Sequence, residues 1–381
     1  MVDAVKVWGL SVGEGIDTAI VLAGGFATRL RPLTLTRPKP LLPVLNRPLL
    51  DWILSSLREA GIKRVILSVR YLSEMIKRKY GDGSEYGVEI EYAEEVKPLG
   101  DGGPILMVKE TFGLDETFLV VYGDIFSDVD FNDLIRFHRS AGGLATLVLT
   151  RVEDPSRYGV ALLDETDRIV DFIEKPSRGE ARSNLINAGI YVFEPEALKY
   201  FNVKPPFKLS KHVIPKMVED RVIYGYVHNG IWSDIGVPKD YMKANFQALQ
   251  HMYPNGYVAP SADVDNAEVI QPSFIGEGVK LSQGSVVGPL AVVGDGCEIG
   301  PLTRIKDSVL LERVVVEGPA HITGSVIGER TYVGRWVRIM PGTVLGDEIV
   351  IDDEVLIAKN TIILPYKEIR SSIEKEGEVV L

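Results

Sequence analysis

Between Thr18 and Leu50 the chain carries Arg29, Arg31, Arg37, Lys39 and Arg47 and no acidic residue, although 42 basic and 53 acidic residues give the whole protein a net charge of −11. Gly24 and Gly25 lie at the head of this cationic stretch, directly after the apolar run Thr18–Ala23. Backbone N–H groups of a glycine pair can approach a phosphate closely, and the cations that follow can neutralise it. A basic surface loop is the plainer alternative. The stretch has no Gly-Lys dipeptide and no GxGxxG, so it is neither a Walker loop nor a dinucleotide fingerprint. Asp124 follows Gly123 at the end of another apolar run, and Asp234 lies two residues before Gly236. Taken singly, Asp124 could be a helix N-cap and Asp234 a turn residue.

These residues need elements to position them. Arg64–Val69, Val88–Ala93, Thr117–Tyr122 and Leu144–Leu149 read as buried strands. Leu50, Ile53, Leu54 and Leu57, and then Phe131, Leu134, Ile135 and His138, recur at helical spacing. Strands alternating with helices predict an α/β domain with a mixed, largely parallel sheet covered on both faces. Ligands of such sheets bind beyond the carboxyl ends of the strands, where Gly24–Gly25 and Gly123–Asp124 both fall.

The last third has another pattern. Val269, Ile275, Leu281, Val287, Val293, Ile299 and Ile305 recur every six residues, and Ile327, Val333, Ile339, Leu345, Ile351, Ile357 and Ile363 repeat the spacing in a second phase. Such hexads predict an all-β left-handed parallel β-helix in which one residue per short strand points inward. The phases do not join by multiples of six, which places an irregularity near 306–326. The expected organisation is an N-terminal extension (1–17), a catalytic domain (18–253) and the β-helix (254–381). In the extension Val5, Val7 and Leu10 suit either a short added strand or a mobile tail.

Composition narrows the classes. The acidic balance argues against nucleic acid as a partner. The longest stretch without a charged residue, 244–262, is broken by polar residues and proline and does not read as a membrane span. Without a secretory pattern, and with Cys297 the single cysteine, a cytoplasmic, disulfide-free protein is expected.

The segment Leu22-Ala-Gly-Gly-Phe-Ala-Thr-Arg-Leu-Arg-Pro-Leu-Thr34 with Pro38-Lys39-Pro40 resembles the signature of sugar-1-phosphate nucleotidyltransferases. The likeness continues in order through Gly123-Asp124, Tyr158-Gly159-Val160, Glu174-Lys175-Pro176, Asn187-Ala188-Gly189 and Trp232–Gly236, and within the family is strongest to GDP-mannose pyrophosphorylases. The resemblance implies a Rossmann-like domain that transfers a nucleotidyl group from an NTP to a sugar 1-phosphate, most plausibly GTP and mannose 1-phosphate. It further implies that Arg29 meets the triphosphate, Lys39 the α-phosphate region and Lys175 the sugar phosphate. By the same carry-over Leu22, Ala23, Gly24, Gly25, Leu99 and Gly100 present backbone to the base, Gly159, Glu174 and Asn187 hold the sugar, and Asp124 and Asp234 share Mg²⁺, a hard cation suited to carboxylate and phosphate oxygens. A homo-oligomer assembled through the β-helix is expected. Alternatives are a thymidylyl- or uridylyltransferase, a non-catalytic regulatory subunit, and a second, acyl-transferring activity in the β-helix. That last chemistry would need a histidine base, and His321 lies six residues before Ile327, a phase directing it inward.

Two positions depart from the family pattern. Ala27 replaces a glycine of the signature, which is harmless unless φ is positive there. Asp101 follows Leu99-Gly100 where a small neutral residue is usual; a carboxylate there could accept from a guanine amino group or repel phosphate.

Overall fold

Ala19, Ile20 and Val21 of the strand Thr18–Leu22 are completely buried, and they divide between two cores as strand geometry requires. Ala19 and Val21 join one cluster and Ile20 the other. The neighbouring strands Arg64–Val69 and Phe118–Tyr122, both parallel to it, split the same way. On the first face lies the helix Leu49–Glu59, burying Leu50, Ile53, Leu54 and Leu57; on the second lies Gly103–Phe112, burying Ile105 and Val108. The computed structural model describes residues 15–177, 179–264 and 266–381; the expectation for Val5, Val7 and Leu10 lies outside them.

The sheet has nine strands. Its half around Thr18–Leu22 is parallel, whereas Leu185–Phe193 runs antiparallel to Phe118–Tyr122 and to Ala145–Arg151. The mixed sheet is therefore parallel where the glycine loop emerges and antiparallel under the Gly159–Glu174 hairpin. A separate pair, Ile125–Ser127 with Trp232–Asp234, sits at the carboxyl end of the sheet.

The helix Pro238–Met252 closes the α/β part, and the first β-helix strand is Tyr257–Val258; we place the division at 253/254. From there short parallel strands build three sheets of eight, six and six strands. Inward Ile275, Val293, Leu310, Ile327, Leu345 and Ile363 stack in one column, eighteen or seventeen residues apart. The seventeen-residue steps, Val293 to Leu310 and Leu310 to Ile327, account for the break in phase: two coils are each one residue short. This corrects His321. In the shortened coils Val316 and Ile322 point inward, so His321 is exposed, between Arg304 and Arg338 of adjacent coils.

The residue before each inward one on the first sheet is also apolar. Phe274, Val292, Val309, Val326 and Val344 face outward and pack into the same core as Tyr241, Ala244, Ala248 and Leu249 of Pro238–Met252. The α/β domain thus covers a flank of the β-helix rather than an open end. At the far end Ile373 bridges to Ile357 and Val379–Val380 pairs with Ile362–Ile363, so the tail adds a last partial coil.

Candidate active site

Leu22 and Tyr122 are register partners, so the glycine loop and Asp124 leave the sheet side by side. Ala23 N–H donates to Ser68 O at 2.8 Å and Gly123 N–H to Leu22 O at 2.9 Å, which pins both loops to the strand ends. A cavity of about 320 Å³ opens between them. Its walls include Leu22, Ala23, Gly24, Gly25, Leu99 and Gly100, together with Lys39 and Asp124. Gly100 is required by geometry: its φ is 79° and a Cβ would overlap the Phe207 carbonyl, to which this loop is bonded.

A second cavity, of about 190 Å³, adjoins the first and shares Asp101, Tyr122 and Asp124 with it. Arg29, Gly159, Glu174, Asn187 and Asp234 line this one. Gly159 and Glu174 face each other across the hairpin, and a Cβ on Gly159 would strike Phe172. Asn187 donates from Nδ2 to Tyr191 Oη at 2.7 Å and accepts the Gly189 N–H at 2.9 Å, so its amide orientation is fixed from both sides. Trp232 donates to Ala188 O at 2.9 Å and meets Tyr158 edge-on, closing the outer wall.

Where the two cavities meet, Lys39 Nζ lies 2.7 Å from Asp124 Oδ2 and 4.0 Å from Asp234 Oδ1. Pairing of Asp234 with Ile125, next to Asp124, brings the two acids together from 110 residues apart. Burial, and then the neighbouring Asp124 carboxylate, push the Asp234 carboxyl above its usual range, with Lys39 drawing it partly back. Two carboxylates already holding one cation are a donor set that fits a hard divalent ion. Among the described residues no three of His, Cys, Asp or Glu cluster as a closed metal cage, so such an ion would complete its shell with phosphate oxygens and water.

Lys175 is the one predicted residue lining neither cavity. It follows the strand Ile169–Glu174 with a φ of 52°, its side chain exposed, and its N–H donates to Tyr158 O at 2.9 Å. Sequence reading missed Lys208 and Arg157, which supply cationic walls to the second cavity, and Glu95, which lines the first. Nothing in the spacing of these single charges marks them; loops from distant parts of the chain bring them in. Arg157 is held by Asp240 at 3.1 Å.

Both departures have a structural answer. Ala27 sits at φ 46° and ψ 42°, the left-handed region, and its carbonyl accepts from Leu30 N–H and Thr34 Oγ1. The missing glycine therefore carries a cost. Asp101 does not stand free: one carboxylate oxygen accepts the Leu209 N–H at 2.6 Å and the group is hydrogen-bonded to Tyr122. Burial raises its pKa. It ties the two cavity walls together.

A glycine loop on the parallel half of a mixed α/β sheet, two converging carboxylates and an adjoining cavity suit an enzyme that handles nucleotide phosphates. The chain belongs to the nucleotidyl transferase family, whose model matches residues 18–251; a GMPPB C-terminal domain model matches 254–380. It is 42% identical to the mannose-1-phosphate guanylyltransferase catalytic subunit beta of Drosophila pseudoobscura pseudoobscura, over 97% of this chain and 98% of that one. It is 38% identical to the mannose-1-phosphate guanyltransferase of Debaryomyces hansenii, over 95% and 99%. Among solved structures, a Bacillus anthracis protein assigned as a glucose-1-phosphate thymidylyltransferase and crystallised with sucrose aligns with a TM-score of 0.55 and 25% identity, over 60% of this chain and 93% of that one.

Proposed function

We propose that the protein joins GTP and mannose 1-phosphate to give GDP-mannose and pyrophosphate. The observation that carries the reading is the pair of cavities meeting at Asp124, one lined by the glycine loop and Glu95 and the other by Glu174, Asn187 and Lys208. A nucleotide in the first and a sugar 1-phosphate in the second would bring their phosphates together at Asp124, Asp234 and Lys39. The sugar-phosphate oxygen attacks the α-phosphorus, a new P–O bond forms, and the bond to the β-phosphate oxygen breaks to release pyrophosphate. A phosphate oxygen is already nucleophilic, so the residues serve to align and neutralise rather than to abstract a proton. Mg²⁺ held by Asp124 and Asp234 supplies charge neutralisation at the phosphates when bound. Lys39 and Arg29 add fixed positive charge on either side, and Lys208 adds it in the sugar cavity.

Guanine is supported by Glu95. Its carboxylate accepts from Ser68 Oγ at 2.9 Å and from Leu99 N–H at 3.4 Å, and it sits so near Gly24 that a Cβ there would overlap it. Two carboxylate oxygens match the N1–H and N2–H donors of guanine, whereas adenine offers an acceptor at N1. The names of the relatives support the same pair of substrates.

A cytoplasmic setting and a homo-oligomer formed through the β-helix belong to the same proposal. Supporting the first, Cys297 is the single cysteine, so the chain makes no disulfide of its own, as is usual in a reducing compartment. Supporting the second, Leu302 and Trp336 are 62% and 63% exposed at one corner of the coils; light scattering tests it. The reaction is tested by pyrophosphate release across a panel of NTPs and hexose 1-phosphates with Mg²⁺. Release that is fastest with GTP and mannose 1-phosphate supports the proposal, and preference for another pair removes it.

A further inference from the structure

The cationic segment that carries Lys39 is held from outside its own domain. In the β-helix an acid follows a glycine at the same corner of several coils: Gly294-Asp295, Gly328-Glu329 and Gly346-Asp347. This acidic corner faces residues 36–46. Arg37 donates to Glu329 and, at 2.8 Å, to Asp347; Thr36 Oγ1 donates to the same Asp347 oxygen at 2.5 Å. The other Asp347 oxygen accepts the Glu329 N–H at 2.8 Å, and the Asp347 side chain is 2% exposed. Nine residues beyond Arg37, Asn46 donates to Asp295 at 2.9 Å and to Val293 O at 3.2 Å. Lys39 lies between these two anchors, in Pro38-Lys39-Pro40. The rings fix φ on both sides of it, so a shift at Arg37 is passed to Lys39 rather than absorbed.

We propose that Asp347 and Glu329 of the β-helix are positioning residues for the reaction: by gripping Thr36 and Arg37 they hold Lys39 of the other domain against Asp124. The β-helix is then part of the catalytic unit and not only a scaffold. The inference rests on the nucleotidyl transfer proposed above.

The experiment compares Asp347→Asn with Asp353→Asn in the full chain. Asp353 accepts the Arg335 N–H at 2.7 Å in the same coil-to-coil manner but within the β-helix alone. Well below either melting temperature, Asp347→Asn is expected to lower kcat/KM for GTP by about tenfold while the KM for the sugar phosphate stays within about twofold. Asp353→Asn should leave both constants within about twofold. Hydrogen exchange at the Leu41 and Leu42 amides, which bond to Pro38 O and Lys39 O, should accelerate in Asp347→Asn only. Unchanged constants and exchange in Asp347→Asn, or equal effects in the two variants, would overturn the proposal. Thr36→Val, which removes one hydroxyl, should give a smaller effect of the same kind and decides the matter should Asp347→Asn fold poorly. A wild-type protein that releases no pyrophosphate sinks the reaction itself, while the exchange comparison still decides the tether.

Discussion

Lys39 and Asp124 form an ion pair of 2.7 Å at the junction of two cavities, with Asp234 4.0 Å from the same ammonium. The lysine thus stands beside both carboxylates that would bind a metal ion. Lys39→Ala should leave two neighbouring acids without their cation. The variant is expected to lose at least about a hundredfold in kcat, the scale of removing one preorganised charge. Its melting temperature without metal should fall, and added Mg²⁺ should restore more of it than the same Mg²⁺ adds to wild type. Equal Mg²⁺ shifts in thermal melts of the two proteins would show that lysine and metal do not share the site.

Ala27 holds a left-handed conformation at φ 46°. A non-glycine residue there costs about 1–2 kcal/mol, partly offset by the greater freedom glycine has in the unfolded chain. Ala27→Gly should therefore raise unfolding stability by about 0.5–1 kcal/mol, read as a higher urea midpoint at unchanged slope. No gain would mean that the loop is strained for another reason.

Glu95 should set the preference for guanine. Inosine triphosphate lacks the 2-amino group, so wild type should discriminate against it, and Glu95→Gln should flatten the GTP to ITP ratio by about tenfold or more. Burial pushes the Glu95 carboxyl above its ordinary value, with Ser68 and Leu99 drawing it partly back. Guanine needs the ionised form as acceptor, so KM for GTP should rise as pH falls, beginning above the ordinary glutamate value of about 4.3. The stability sign is opposite: a raised acid pKa means that folding loses stability as pH rises through it. Glu95→Gln should accordingly melt no lower than wild type at neutral pH. A ratio unmoved by the substitution would remove Glu95 from base selection.

Lys208 lines the second cavity, which we propose for the sugar phosphate, and Lys175 does not. Lys208→Ala should raise the KM for the sugar phosphate by about tenfold or more with little change for the NTP, the mark of lost ground-state binding. The same split in Lys175→Ala, with a weaker effect in Lys208→Ala, would mean that the loop after Glu174 swings inward on binding.

Truncation after Tyr253 tests the domain contact. Considered alone, the hexad domain looks separable, with some activity surviving its removal. The structure predicts otherwise, because Tyr241, Ala244, Ala248 and Leu249 share a core with outward Phe274, Val292, Val309 and Val326. The truncated chain is expected to aggregate and to lose activity; a soluble, active fragment would show that this core is dispensable.

By itself the sequence determined what is local or periodic. A strand running into Gly24–Gly25 must end in a loop at its carboxyl end, because the apolar run and the glycines are contiguous. The β-helix declares itself because each short strand buries one residue every six. Even its fault was countable: the step from Ile305 to Ile327 is two short of a multiple of six, and two coils each lose one residue. Paired apolar positions such as Val292-Val293 also encoded a flank buried on both faces, a signal that the hexad count alone passed over.

Only the tertiary structure decided which isolated charges meet. Lys39 and Asp124 are 85 residues apart, and Arg37 and Asp347 are 310 apart. No spacing relates them; sheet order and coil stacking do. The inward phase assigned to His321 failed for a related reason, since one omitted residue per coil turns a side chain from core to solvent. Exposure of Lys175 and placement of Lys208 and Glu95 at the cavities follow from loops packed against distant strands. Periodicity records what must be buried, but the meeting of single charges is fixed only when the whole backbone has closed.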